Sequence, residues 1–295
     1  MSAITAQTDI RGETSDRAAM TLPNFIVIGP GKTGTTWLYH CLREHPQIQL
    51  ARYTKETVFF TEYYARGMGW YERFFRGCDG AIAIGEVSNT YFFSPAAAER
   101  IALHLPDVKL IVFLRHPVDR LVSRYLFQAR NGRMKGTLEQ AILRNPAVVE
   151  ENFFDEHIAH YLSRFSRNQI LVALHDDLER DARRLLSEVY GFLGVNPDFA
   201  PPSGPRRVLA ARGPRNRILN RAVKRAATWL RRNDLHWLLS LAKNSPAASM
   251  LLTKRLSAGE AAVLSMETRQ RLLDLYRPHM QRTATLIGRD LAAWM

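Results

Sequence analysis

The chain has 295 residues, 46% of them hydrophobic, and 41 Lys/Arg against 28 Asp/Glu give a net charge of +13. That is ample for one packed core. Two cysteines, Cys41 and Cys78, are too few for a disulfide framework and lack metal-ligand spacing. No run reaches the about 18 apolar residues of a membrane span, and the polar start MSAITAQTDIRGETSDRAAMTLP lacks the apolar centre of a signal peptide. The expectation is a cytoplasmic protein with a disordered N-terminus over 1–22 and a single domain over 23–295.

In chain order, Asn24 to Ile28 reads as a buried strand that breaks into a glycine loop, followed by a helix from about Thr35 to Glu44 stopped before Pro46. Gln47 to Leu50, Ala81 to Gly85 (AIAIG) and Lys109 to Leu114 (KLIVFL) are further strands, with a helix opened by Pro95 before the last of them. Pro117 opens a helix to about Arg130, and Glu151 to Phe165 has helical apolar spacing. Gln169 to Leu174 is a strand, and a helix from Asp177 or Leu178 runs to Gly194, with Asp176 and Asp177 as its caps. A last helix spans about Ser265 to Leu286. Strands alternating with helices predict an α/β fold, a parallel sheet covered on both faces, with ligands outside the strand C-termini.

The positive charge is concentrated. Between Ser203 and Arg255 thirteen Lys/Arg face one acid, Asp234, and within this stretch 217–241 is an amphipathic basic pattern carrying Trp229 and Trp237. Residues 203–255 read as a basic helical lid meeting an anionic donor or acceptor. Two alternatives stay open: a segment resting on anionic membrane, and helices whose arginines merely face water.

The loop after the first strand is Gly29-Pro-Gly-Lys32-Thr33-Gly34-Thr35-Thr36. A strand, a glycine loop and a helix together aim backbone N–H groups and the positive helix end at an anion, and Lys32 adds a full charge. The nucleotide-triphosphate pattern G-x-x-x-x-G-K-[ST] is not met, because the lysine stands two places before the last glycine. A second region, LIVFLRHPVDRLVSRYLF, sets Arg115 at a strand end and Ser123 eight residues on. In a strand–turn–helix unit the two converge on one phosphate, the arginine by its planar fork and the serine by its hydroxyl. Taken singly, Arg115 also reads as a salt-bridge partner and Ser123 as an ordinary helix residue.

K-x-G-T-T after a strand, followed by Arg-x-Pro and a later serine, resembles the 5′-phosphosulfate and 3′-phosphate motifs of sulfotransferases that use 3′-phosphoadenosine-5′-phosphosulfate. KETVFF over Lys55 to Phe60 is similar to the K-E-x-H-F-F segment of heparan-sulfate-type and related bacterial members, whose glutamate is the general base. GEVSNTYF over Gly85 to Phe92 is similar to their G-E-K-[ST]-P-x-Y-[FL], and GRDLAAW to the bacterial ending. Val58 stands in place of the histidine and Val87 in place of the lysine, so acceptor contacts made there by other members do not carry over.

The resemblance implies a P-loop-like sheet and in-line transfer of a sulfuryl group to a hydroxyl or amine of a glycan, lipid or small molecule. It also implies that no metal is required. Lys32 would meet the bridging oxygen, while Gly31, Thr33, Gly34, Thr35 and Thr36 hold the 5′-phosphate and Arg115 and Ser123 the 3′-phosphate. Arg212 and Arg215 would close over the donor. Glu56 is the implied base, with His40, His45, His104, His116 and His175 as competitors. Lys55, Glu86 and Ser88 are candidates for the acceptor side, although local hydrogen bonding explains Glu86 and Ser88 equally well. A nucleotide kinase-like phosphotransferase and a non-catalytic anion- or nucleic-acid-binding protein are the competing readings. The first lacks lysine directly after the last loop glycine, and the second leaves Arg115 with Ser123 unexplained.

Overall fold

A computed structural model describes residues 21–204 except Asp79 and Lys135, and residues 264–295. Between these spans it describes two short strands at 212–214 and 253–255 and the residues Val223, Ala226, Trp229 and Leu230. Residues 1–20 of the stretch 1–22 expected to be disordered, and nearly all of the basic segment 203–255, therefore lie outside the described residues, whereas Leu22 packs against the core.

Five parallel strands form the sheet: β1 Phe25–Gly29, β2 Ile48–Leu50, β3 Ala83–Val87, β4 Lys109–Leu114 and β5 Ile170–Leu174, in the spatial order β2-β3-β1-β4-β5. The helices are α1 Thr35–Glu44, α2 Met68–Glu72, α3 Pro95–His104, α4 Pro117–Arg130, α5 Leu138–Arg144, α6 Ala147–Glu150, α7 Phe154–Leu162, α8 His175–Arg180, α9 Ala182–Leu193 and α10 Met266–Ile287. Arg212–Pro214 (β6) and Thr253–Arg255 (β7) pair antiparallel.

The apolar runs are continuous because both faces of the sheet are covered. Ile26 and Ile28 of β1 and Leu110, Val112 and Leu114 of β4 point into a core shared with α3, α4, α7 and α10. Phe25, Val27, Ile111 and Phe113 point the other way, onto α1 and α9. The chain visits β2 and β3 on one side of β1, then crosses to β4 and β5 on the other. The crossing leaves a crevice outside the C-terminal ends of β1 and its neighbours, where ligands of such sheets bind.

Three boundaries differ from the sequence expectation. β3 starts later and continues through Glu86 and Val87, because its pairing with β1 matches Ile26 to Glu86 and Val27 to Val87. The helix expected from Asp177 to Gly194 starts at His175 and is split, since Asp181 leaves helical geometry and its side chain accepts from Arg184 N at 3.0 Å as a cap. The helical spacing over Glu151 to Phe165 yields only α7, with α6 ending just before Glu151.

Candidate active site

β1 ends at Gly29, and the chain reaches α1 through a loop held close to the sheet. Gly34 takes φ 126°, and a side chain there would stand 2.9 Å from the Phe113 ring; one at Gly29, φ 108°, would meet the Asn89 carbonyl at 2.7 Å. Both positions require glycine. Among the described residues no side chain caps α1, and its first turn carries no acid, so its N-terminal N–H groups and positive dipole end face the crevice unopposed. The loop's carbonyls are tied back instead: Thr33 Oγ1 donates to Pro30 O at 2.7 Å, Arg120 Nε to Gly31 O at 3.1 Å, and His175 Nδ1 to Thr33 O at 2.8 Å.

Lys32 sits at φ 77° with Nζ over the Phe127 ring, 4.6 Å from its centroid. Burial pushes its ammonium below the usual lysine range, and the positive fields of Arg130, Arg115 and Lys55 push the same way. Arg115, at the C-terminal end of β4, and Ser123, on α4, are half-buried, and among the described residues neither has a side-chain partner. Ser123 and Phe127 are four residues apart on α4, hence on one face. The two sequence motifs therefore converge, the phosphate-loop lysine leaning on the helix that carries Ser123.

The KETVFF segment closes the third side. Lys55 Nζ lies 3.3 Å from Thr36 Oγ1 and 3.7 Å from Glu56 Oε1, and Glu56 Oε1 accepts from Asn89 Nδ2 at 2.8 Å. Asn89 in turn lies against the loop, its Cβ and Nδ2 both 3.8 Å from where a Cβ on Gly31 would be. Glu56 thus stands at the mouth of the phosphate loop, about a third exposed, with Oε2 free of partners among the described residues.

Of the two readings left open for Glu86 and Ser88, the geometry matches local hydrogen bonding. Both are fully buried. The Glu86 carboxylate accepts from Thr57 N and Oγ1, Ser88 Oγ, Tyr71 Oη and Tyr91 Oη, at 2.6 to 3.2 Å. Burial raises its affinity for a proton, and the hydrogen bonds from Thr57, Tyr71 and Ser88 oppose that rise. Packed among Phe59, Phe60 and Tyr71, the carboxylate pins the KETVFF segment to β3 from behind.

Asp176 and Asp177 stand inside α8, not at the N-cap expected of them: Asp177, the third residue of the helix, accepts from Leu174 N at 3.1 Å and receives Arg289 at 2.8 Å, and Asp176 accepts from Trp294 Nε1. Of the competing histidines, His45 bonds to Asn196 O, His104 to Tyr64 Oη and His175 to Thr33 O, all as fixtures of the frame. Only the backbone of Arg212 is described, as the first residue of β6, and Arg215 lies outside the described residues.

Sequence reasoning missed Asn89 and Arg120. Arg120 has no exposure, donates to Gly31 O and to Asn152 Oδ1 at 2.6 Å, and faces the Phe93 ring at 5.1 Å. Its available signal was an arginine on the apolar stripe of α4 beside Val118 and Leu121. Asn89 carried no signal beyond standing where the resembled segment has proline.

A parallel sheet with a glycine-rich, lysine-bearing loop after its first strand in the chain, and Arg115 and Ser123 after its fourth, is a P-loop-like α/β arrangement. A sulfotransferase domain model matches residues 22–220, and the chain belongs to that family. It is 38% identical over 143 residues to the membrane-associated sulfotransferase kil1 of Dictyostelium discoideum, covering 47% of this chain and 28% of that one. It is 33% identical over 208 residues to the human bifunctional heparan sulfate N-deacetylase/N-sulfotransferase 3, covering 63% of this chain and 23% of that protein. Human heparan sulfate glucosamine 3-O-sulfotransferase 3A1 is 30% identical over 190 residues, covering 61% and 46%. The chain thus spans less than half the length of these relatives. A crystal structure of a sulfotransferase from Alicyclobacillus acidocaldarius shares the fold, with a TM-score of 0.68, 24% identity and coverage of 93% of this chain and 99% of that one.

Proposed function

We propose that the chain moves a sulfuryl group from 3′-phosphoadenosine-5′-phosphosulfate to a hydroxyl or amine, releasing adenosine 3′,5′-bisphosphate. The observation that carries this reading is that Lys32 Nζ rests on Phe127 of α4, the helix that carries Ser123 and follows Arg115, with the end of α1 uncapped beside it and no side-chain partner for Arg115 or Ser123 among the described residues. Their chemistry fits a donor with phosphates at both ends. In this reading the loop N–H groups and Thr35 and Thr36 hold the 5′-phosphate, and Lys32 meets the bridging oxygen as charge develops there. Glu56 Oε2 takes the acceptor proton while Asn89 and Lys55 hold the other oxygen. Relatives named for heparan sulfate favour a glycan acceptor.

Isotopically labelled donor mixed with a cell extract tests the reading. Label should enter an acceptor with the wild-type protein and about 10²-fold more slowly with Lys32→Ala, the cost of removing one donor to a developing oxyanion. Equal labelling by the variant contradicts the role, and transfer from γ-labelled ATP at a comparable rate favours a kinase instead. Chelator should leave the sulfuryl transfer rate unchanged. Segment 203–255 is the lid in this reading, and retention on anionic vesicles in flotation would support the membrane alternative.

A further inference from the structure

The peptide planes of the phosphate loop are set from behind by two residues that the donor itself would not touch. In a trans peptide the carbonyl of one residue and the N–H of the next point in opposite directions. Thr33 Oγ1 draws the Pro30 carbonyl back, so the Gly31 N–H faces the other way. Arg120 Nε draws back the Gly31 carbonyl, which turns the Lys32 N–H outward. His175 Nδ1 draws back the Thr33 carbonyl, which turns the Gly34 N–H outward. No acceptor among the described residues takes those three N–H groups. Lys32 holds φ 77° and Gly34 φ 126°, so the loop adopts backbone geometry that needs an outside restraint.

The geometry points to Arg120 and His175 as positioning residues that build the 5′-anion nest, a role resting on the donor reading above. Arg120 is suited to it by being immovable. It has no exposure, Asn152 accepts from Nη1 at 2.6 Å, and Asn152 is fixed by Tyr276 Oη at 3.2 Å and by the carbonyls of Val148 and Val149. The guanidinium thus links α10 and the α6–α7 junction to one carbonyl of the loop. His175 is held by its place at the start of α8, and because its partner is a carbonyl, Nδ1 carries the proton. The two bonds reach the loop from opposite faces of the sheet, from α4 in the core with Val118 and Leu121 and from α8, whose Leu178 packs on the other core.

The role predicts a loss confined to one end of the ligand. By calorimetry the wild-type protein should prefer adenosine 3′,5′-bisphosphate to adenosine 3′-monophosphate. His175→Ala and Arg120→Met should each reduce that preference about tenfold, the scale of a lost hydrogen bond to a charged group, while binding of the 3′-monophosphate stays within about twofold. His175→Asn, whose amide N–H can replace the Nδ1–H, should restore the preference. If Arg120→Met fails to fold, the His175 pair decides. A preference that survives in His175→Ala, or a parallel loss of both ligands, overturns the assignment and leaves the donor reading standing. A wild-type protein without the preference overturns both.

Discussion

Lys32 gathers most of the electrostatics of the site. Its ammonium is half-buried, rests on an aromatic face rather than on a carboxylate, and feels three other cations. Such a group releases its proton more easily than an ordinary lysine, and an arriving anion relieves the repulsion. Transfer measured as kcat/KM should therefore fall on the alkaline side beginning below pH 10.5, the ordinary value, and Lys32→Arg should remove that fall at whatever rate remains. A profile identical in the two proteins would place the ionisation elsewhere. Glu56→Gln should reduce kcat with little change in binding of adenosine 3′,5′-bisphosphate, because the proposed base acts on the acceptor and not on the donor; undiminished turnover moves the base to another group. Glu86 carries the opposite expectation. Glu86→Ala strands Thr57, Tyr71, Ser88 and Tyr91 hydroxyls in the core and should cost about 3 kcal/mol or more in denaturant unfolding. A variant of wild-type stability that loses only activity would return Glu86 to the acceptor side.

Among the elements, α7 shows how burial becomes pH dependence. His157 lies against Phe92 and Phe93 at ring distances of 5.3 and 5.2 Å; burial, and then the Arg120 charge, lower its pKa from 6.5 to about 4. The unfolded chain takes up this proton first, so the folded state loses stability as pH falls from about 6.5 to about 4 and loses no more from this group below that. His157→Phe should flatten the decline of Tm over that window; an unchanged slope would show that other groups set it. The main strands and helices α1, α3, α4 and α10 were legible because long apolar runs and helical spacing reflect a two-faced core. The split at Asp181 was not, since apolar residues continue on both sides and only the cap at Arg184 marks it. Glu86 stayed ambiguous for a related reason. Ending β3 at Gly85 put the next residues in a loop, whereas pairing with β1 carries Glu86 into the sheet interior. The motifs that carry the proposed donor site, with Lys32, Arg115 and Ser123, could be picked out in the sequence because phosphate chemistry fixes residue types at fixed spacing. Arg120 and His175 meet backbone carbonyls, and although an arginine on the apolar stripe of α4 can be seen in the sequence, the carbonyl it meets cannot.

Across the whole molecule the C-terminal residues complete the frame around the strand ends. Leu291 and Trp294 are buried; the Trp294 indole donates to Asp176, and Arg289 grips Asp177, both in the first turn of α8 with His175. Trp294→Ala should cost about 3–5 kcal/mol of stability as a large-to-small core change; wild-type unfolding would mean that this contact is dispensable. Among the described residues no helix is long and apolar enough to cross a membrane. The account rests on two distant stretches holding opposite ends of one nucleotide. Calorimetry on Arg115→Ala tests this most directly. The variant should lose about 10²-fold of the preference for adenosine 3′,5′-bisphosphate over adenosine 5′-monophosphate, as expected on removing a bidentate partner of a phosphate, with 5′-monophosphate binding unchanged. Retention of the full preference would contradict the account.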